Sequence, residues 1–251
     1  MPFDSIKRPS LSVEVADEIK KAIANKQYQC GDKLPSEREL CDQFEVSRVT
    51  VRDALNTLHV NGLINIRKGK KAGAYVVKPT ADPIIENFQN LIRYGIVDYS
   101  HLLDARLYIE PLAAKVVAQM HTPEEIQALE SLLDNAEHHL SISWKRARLI
   151  NVSFHSELAK ITKIQIIVYI TESVTQAFSF AIIEDTENLL DRDTIHNFIN
   201  DHRKILTQIK KRNDQEAYDF SRNHLIETFK VYSHYLPYSI DTFIASQIEK
   251  R

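Results

Sequence analysis

The sequence predicts a mainly helical protein in two parts: a small head of three helices and a β-hairpin, then a larger all-α antiparallel helical bundle. Three observations carry this. Four of the five glycines (Gly31, Gly62, Gly69 and Gly73) fall before residue 80 and only Gly95 lies beyond. Glycine is costly inside helices, so the first stretch is turn-rich and the second is nearly all helix. Apolar residues recur at helical spacing along most of the chain. Lys78-Pro79-Thr80-Ala81-Asp82-Pro83 sets two prolines between the parts and interrupts regular structure. The predicted division is a head over 1–78, a linker over 79–83 and a body over 84–240.

In the head, Val13, Ala16, Ile19, Ala22 and Ile23 give the first helix. Leu34-Pro35-Ser36-Glu37-Arg38-Glu39-Leu40 opens a second, over about 36–44. After a tight turn, Val46-Ser47-Arg48-Val49-Thr50-Val51-Arg52 opens a third, over about 48–61, with Ser47 as N-cap. Val51, Ala54, Leu55 and Leu58 form its buried stripe, and Gly62 ends it. Residues 63–67 and 74–77 read as strands around Lys68-Gly69-Lys70-Lys71-Ala72-Gly73. Three helices and a hairpin make a winged helix-turn-helix. Its third helix carries Arg48, Thr50 and Arg52 in the first turns, where such a helix meets base edges in a DNA major groove. A forked arginine can bind guanine through two hydrogen bonds, and helix N-terminal amides can take phosphate. The wing tip holds Arg67, Lys68, Lys70 and Lys71. Alone it is as well read as a solvated turn; beside the helix pair it reads as a phosphate or minor-groove contact.

The body offers six or seven amphipathic helices, at about 82–93, 99–119, 123–141, 144–161, 164–189, 194–211 and 214–235. Thr122-Pro123-Glu124-Glu125 combines a cap, a first-turn proline and a capping-box glutamate. Asp193 and Asp214 are the expected caps of the last two helices. Pro111, inside a helical pattern, is expected to kink or restart its helix.

Composition narrows the class. With 43% hydrophobic and 26% charged residues, the chain is neither disordered nor membrane-like. The net charge is −2, but residues 1–80 hold 14 Lys+Arg against 10 Asp+Glu and the remainder holds 18 against 24. A basic head on an acidic body fits DNA contact through the head. Cys30 and Cys41 form no CxxC pair, which argues against a disulfide framework and a cysteine zinc site. No apolar run approaches the roughly 18 residues of a membrane span, and MPFDSIKRPS lacks a signal peptide's apolar core, so the cytoplasm is the expected location.

Leu34-Pro35-Ser36-Glu37-Arg38-Glu39-Leu40, Val46-Ser47-Arg48, Val51-Arg52-Asp53-Ala54-Leu55 and Gly62-Leu63-Ile64 strongly resemble the DNA-binding domain of GntR-family transcriptional regulators, over about residues 8–78. The resemblance implies DNA contact by Arg38, Arg48, Thr50, Arg52, Lys68 and Gly69. Lys68-Gly69-Lys70-Lys71-Ala72-Gly73 departs from the family's usual short Gly-x-Gly wing tip. The body resembles the effector domain of the FadR subfamily, the FCD domain. This resemblance rests on Ala105-Arg106-Leu107-Tyr108-Ile109-Glu110-Pro111, Phe154-His155, Asp201-His202-Arg203-Lys204-Ile205-Leu206 and Asn223-His224-Leu225.

Asn151 and His155 stand four apart, on one helical face. Among ten histidines spacing alone selects none, and a histidine is more often surface or satisfied core than ligand. The FCD resemblance selects His155, His202 and His224, three imidazoles that suit Zn, Ni, Cu, Fe or Mn with positions left for water or a ligand. Metal-binding members of the class commonly carry aspartate where this chain has Asn151, which can ligate but brings no charge; others hold no metal. Arg106 and Glu110 also stand four apart, either as a plain intrahelical ion pair or, as the resemblance implies, with Arg106 forked onto an effector carboxylate. Thr171, Thr175 and Ser179 could line the same cavity or be hydroxyls tolerated in a packed helix.

The leading expectation is a homodimeric, effector-responsive repressor; the family resemblance implies that it binds a short palindromic double-stranded operator and answers a small organic acid. Two rivals stay open. One is a metal sensor with no organic effector. The other is a metalloenzyme, against which stand the lack of a further acid–base or nucleophile constellation and the unexplained head.

Overall fold

The computed structural model of the chain describes residues 10–186 and 190–233. They divide into two compact units, between Pro83 and Ile84.

In the first unit α1 (Leu11–Ala24) buries Val15, Ala16 and Ile19. Val13, assigned to that stripe from spacing, is instead exposed. α2 (Glu37–Phe44) begins on a reciprocal capping box: Glu39 N donates to Ser36 Oγ (3.3 Å) and Ser36 N donates to Glu39 Oε2 (2.7 Å). Glu45, in the left-handed region (φ 54°), turns the chain into α3 (Arg48–Val60). At the far end of α3, Gly62 N donates to His59 O and Leu63 N to Leu58 O, a Schellman closure that Gly62 permits at φ 70°. β1 (Ile64–Arg67) pairs antiparallel with β2 (Gly73–Val76), Ile64 facing Val76 and Arg67 facing Gly73. A 3-10 turn over Gly69–Lys71 forms the tip, and Lys33 adds a bridge to Tyr75. Leu40, Val51, Ala54, Leu58, Ile64 and Val76 close the core.

The second unit holds α4 (Asp82–Arg93, begun just before the division), α5 (Tyr99–Met120), α6 (Pro123–His139), α7 (Trp144–Ile161), α8 (Gln165–Thr186), α9 (Arg192–Lys210) and α10 (Asp214–Ser233). The expected helix ends at 187–189 and 234–235, and body residues 234–240, lie outside the described residues. The capping box at Thr122 and Glu125 forms as expected. Two expected caps do not. α9 is capped by Asp191, which accepts from Thr194 N, and Asp193 lies in the first turn. Asp214 is the first residue of α10 and accepts from Gln119 Nε2 at 2.6 Å.

Nor does Pro111 restart its helix: α5 runs unbroken through it. Proline withholds one N–H from the Leu107 carbonyl, but α5 is the central helix, packed on α7, α8, α9 and α10. Ala113, Ala114, Val117 and Ala118 are buried just beyond the proline, and that packing keeps the second half helical. Leu129, Leu133, Phe154, Leu158 and Ile205 fill the core at one place, and Ala177, Phe178, Ile195, Ile199 and Tyr232 at another.

Candidate DNA-binding surface and buried polar cluster

In the head the polar side chains named from sequence lie on the surface. Arg38, Ser47, Arg48, Arg52, Lys68 and Lys70 are exposed, as is Gly69 at the tip, and Thr50 is half-buried. Ser47 accepts from Thr50 N (3.2 Å) and its hydroxyl lies 2.8 Å from that of Thr50, so the cap also orients Thr50. Arg52 Nε lies 3.8 Å from Glu37 Oε1 on α2, a long, exposed ion pair. Arg67 lies over the Tyr75 ring at 4.3 Å, which stiffens the wing's base. Val49, 68% exposed between Arg48 and Thr50, was not singled out from sequence. It is apolar yet lies off the stripe of Val51, Ala54, Leu55 and Leu58, and that is the signal that could have found it.

In the body, five helices bring seven of the candidate side chains into one cluster. α5 supplies Arg106 and Glu110, α7 Asn151 and His155, α8 Thr175, α9 His202 and α10 His224, all of them buried. Glu110 is the hub. Arg106 forks onto it through Nε (2.6 Å to Oε1) and Nη2 (3.3 Å to Oε2). Thr175 Oγ1 donates to Oε1 at 3.3 Å, and His155 Nδ1 lies 2.6 Å from Oε2. From there the chain of contacts continues: His155 Nε2 to His202 Nε2, 3.1 Å, and His202 Nδ1 to the Asn151 carboxamide, 2.8 Å at Oδ1. His202 and His224 centroids lie 4.3 Å apart. His224 Nδ1 is buried without a hydrogen bond, 3.8 Å from Asp201 Oδ2.

Burial alone would push the Glu110 carboxyl up. The Arg106 charge, then the charge and hydrogen bond of His155, outweigh it and hold Glu110 far below the usual carboxylate range. Burial lowers His155 to about 4, against the opposing pull of Glu110. Burial, with His224 and His155 beside it, drives His202 well below its ordinary value. At neutral pH the cluster therefore holds the Glu110 carboxylate, the Arg106 guanidinium and neutral rings at His155 and His202.

The donor set fits a metal ion. The ring nitrogens of His155, His202 and His224 lie within 4.8 Å of one another, and neutral imidazole is a ligand for borderline transition metals. Glu110 backs His155 as carboxylates commonly back ligating histidines.

Three neighbours of the cluster had no role assigned to them from sequence. Phe154 stacks on His202 (4.4 Å, 19° between planes), Phe178 lies under Arg106 at 4.6 Å, and Asp201 stands off His224. Phe178 is three residues past Thr175 on α8, a spacing that could have paired them. Of the α8 hydroxyls only Thr175 reaches Glu110. Ser179 bonds back to the Thr175 carbonyl, and Thr171 Oγ1 is buried with no hydrogen bond. Ser153, Ser156, Thr175, Gln176 and Ser179 border a groove of about 500 Å³ that reaches the Thr175 side of the cluster.

A winged helix-turn-helix ahead of an all-helical unit is the build of a DNA-binding transcriptional regulator. The profile of bacterial regulatory proteins of the gntR family matches residues 11–76, and that of the FCD domain matches residues 101–227. The chain is 34% identical over 215 residues to the Uxu operon regulator of Haemophilus influenzae, covering 85% of this chain and 78% of that protein. It is 30% identical over 227 residues to the HTH-type transcriptional repressor NanR of Cronobacter sakazakii, covering 88% and 85%. Among solved structures, Streptococcus agalactiae GntR matches with a TM-score of 0.67 at 25% identity, over 87% of this chain and 99% of that one. The chain belongs to the gntR family and carries an FCD domain. It is a transcriptional regulator, and its relatives are named as regulators rather than enzymes. No helix among the described residues is long and apolar enough to cross a membrane.

Proposed function

We propose that the chain is a cytoplasmic, homodimeric repressor that binds a short palindromic operator through residues 1–78 and loses it when a small organic acid enters the body. The observation that carries this is the convergence of Arg106, Glu110, Asn151, His155, Thr175, His202 and His224 from five helices into one buried polar cluster. A buried cluster of this kind costs stability unless it is used or fully satisfied, and a family of regulators gives it a use. Arg48, Thr50 and Arg52 read bases, with Arg38, Ser47, Lys68, Gly69 and Lys70 positioning the head on phosphates. The linker over 79–83 joins this to the effector and dimer domain over 84–240. Arg106 gives Glu110 its Nε/Nη2 edge, and its Nη1 edge carries no hydrogen bond among the described residues, so that edge is the one for an effector carboxylate. His155, His202 and His224 would hold Zn, Ni or Mn, with Asn151 orienting His202 through its Nδ1. Such an ion would supply a positive charge to take an effector oxygen. The similarity to NanR, a repressor by name, supports repression.

The test is operator binding by fluorescence anisotropy, on DNA selected from a random pool, with and without a panel of small organic acids. Arg48→Ala and Arg52→Ala are expected to weaken specific binding by about 1–3 kcal/mol each. Arg106→Ala is expected to keep operator affinity and lose the response to the acid, and Arg106→Lys to recover little, since lysine lacks the planar fork. Unchanged operator affinity in both head variants overturns the recognition helix; a normal acid response in Arg106→Ala places the effector elsewhere. The three converging imidazoles favour one second reading, a metal sensor. A response of operator affinity to metal alone, with no organic acid, selects it.

A further inference from the structure

The 3.1 Å contact between His155 Nε2 and His202 Nε2 is the least comfortable in the cluster, and it fixes where protons sit. His155 Nδ1 is 2.6 Å from a carboxylate that Arg106 keeps ionised, so Nδ1 carries the proton and Nε2 presents a lone pair. With the Asn151 oxygen toward His202, His202 Nδ1 is also the N–H, and two lone pairs then face each other at 3.1 Å. A cation between them resolves this. A second proton on His155 also would, but it leaves a net buried positive charge, because Arg106 already balances Glu110. The third resolution needs no added charge. A half-turn of the Asn151 carboxamide about χ2 offers its NH₂ to His202 Nδ1, His202 Nε2–H donates to His155 Nε2, and His155 Nδ1–H donates to Glu110. Every member is then satisfied in one direction.

We propose that Asn151 sets the metal occupancy of this pocket: its amide closes a metal-free hydrogen-bond chain from Asn151 through His202 and His155 to Glu110, and a divalent cation binds only by turning that amide over and moving the His202 proton from Nε2 to Nδ1. Aspartate cannot do this, because an ionised carboxylate has no donor. It forces His202 Nδ1–H and leaves the facing lone pairs to a cation. The amide thus makes the empty pocket a stable state and the metal a weak, displaceable guest. The inference deepens the reading of the cluster as a ligand site and is independent of operator binding.

The test uses full-length protein stripped by chelator, with the ring tautomers of its histidines read by nitrogen NMR near neutral pH and assigned with His155→Gln and His202→Gln. The metal-free parent is expected to carry its proton at Nδ1 of His155 and at Nε2 of His202. Asn151→Asp is expected to move the His202 proton to Nδ1 and to tighten zinc binding, measured by chelator competition, by about tenfold or more. Zinc binding by the Asp variant with none by the parent is the extreme form of that result. A His202 Nδ1–H tautomer in the metal-free parent overturns the proposal, as does equal zinc affinity in both proteins or binding by neither. Should Asn151→Asp fail to fold, the parent's tautomers still decide. Operator binding on the same samples keeps the two readings apart, since its loss strikes the DNA-binding assignment and leaves the tautomers to speak for the pocket.

Discussion

His155 shows how much of a residue's behaviour comes from where it is put. Its spacing from Asn151 is legible in the sequence. That Glu110, 45 residues earlier, would take its Nδ1 is not, because no local pattern registers a contact between two helices. The consequence is a pH dependence with a defined sign. The unfolded ring binds a proton near 6.5 and the folded ring only near 4. Between those values the unfolded chain holds more protons, so this contribution to stability is full above about 6.5 and is lost as pH falls towards 4. The Glu110 carboxyl, held low, adds its own loss beginning under about 4.5 and extending further down. We expect the melting temperature of metal-free protein to fall steeply between pH ~6.5 and ~4, and His155→Gln to be less stable near neutrality but flatter across that window. His202, also driven well below its ordinary value, carries part of the slope that remains, and a variant with the parent's full slope would show that His155 does not contribute. The Arg106–Glu110 pair makes the same point: four-residue spacing predicts an ion pair, but only burial at 3% and 2% exposure separates this one from an exposed pair worth a few tenths of a kcal/mol.

At the scale of elements, the sequence carried most of the fold because its signals are local. Capping boxes at Ser36 and Thr122, the Gly62 terminator and the stripe on α3 each specify an element from within a few residues. The misses share a cause. Asp191 and Asp193 are equally good caps in isolation, and which one serves depends on where the buried face of α9, with Ile195 and Ile199, meets its neighbours. Pro111 breaks an isolated helix but not a central one. The three histidines were drawn from ten by resemblance, since residues on α7, α9 and α10 share no period. The wing is where local reading and function meet. Its tip is a 3-10 turn carrying Lys70 and Lys71, both exposed. If they contact phosphates, each alanine substitution should lower the salt slope of operator binding by about 0.9 and weaken binding to all sequences alike. A titration of operator affinity against salt checks this, and unchanged slopes in both variants would remove the tip from the interface.

Taken whole, the proposed function requires a ligand event in one unit to reach DNA held by the other, and each unit has its own core. Leu58 and Ile64 are fully buried in the head, Ile199 and Phe154 in the body, and the clusters they belong to share no residue. Two separate cores permit two cooperative unfolding steps. Leu58→Ala should lower one calorimetric transition and Ile199→Ala the other, each by about 2–5 kcal/mol of its unit's stability. With the transitions so assigned, zinc or an effector should raise only the body's, and at about a hundredfold excess over its Kd the gain is about 2.7 kcal/mol. Operator DNA should raise only the head's. Coupling then appears as a departure from this independence. An effector that weakens operator binding by some factor must have its own affinity weakened by that same factor when operator is bound, because linkage is reciprocal. Calorimetric titration of the acid into free and operator-bound protein measures this directly. A single transition moved equally by both core variants would mean that the units unfold as one. Equal acid affinities in the two titrations would mean that the body's ligand does not control the head.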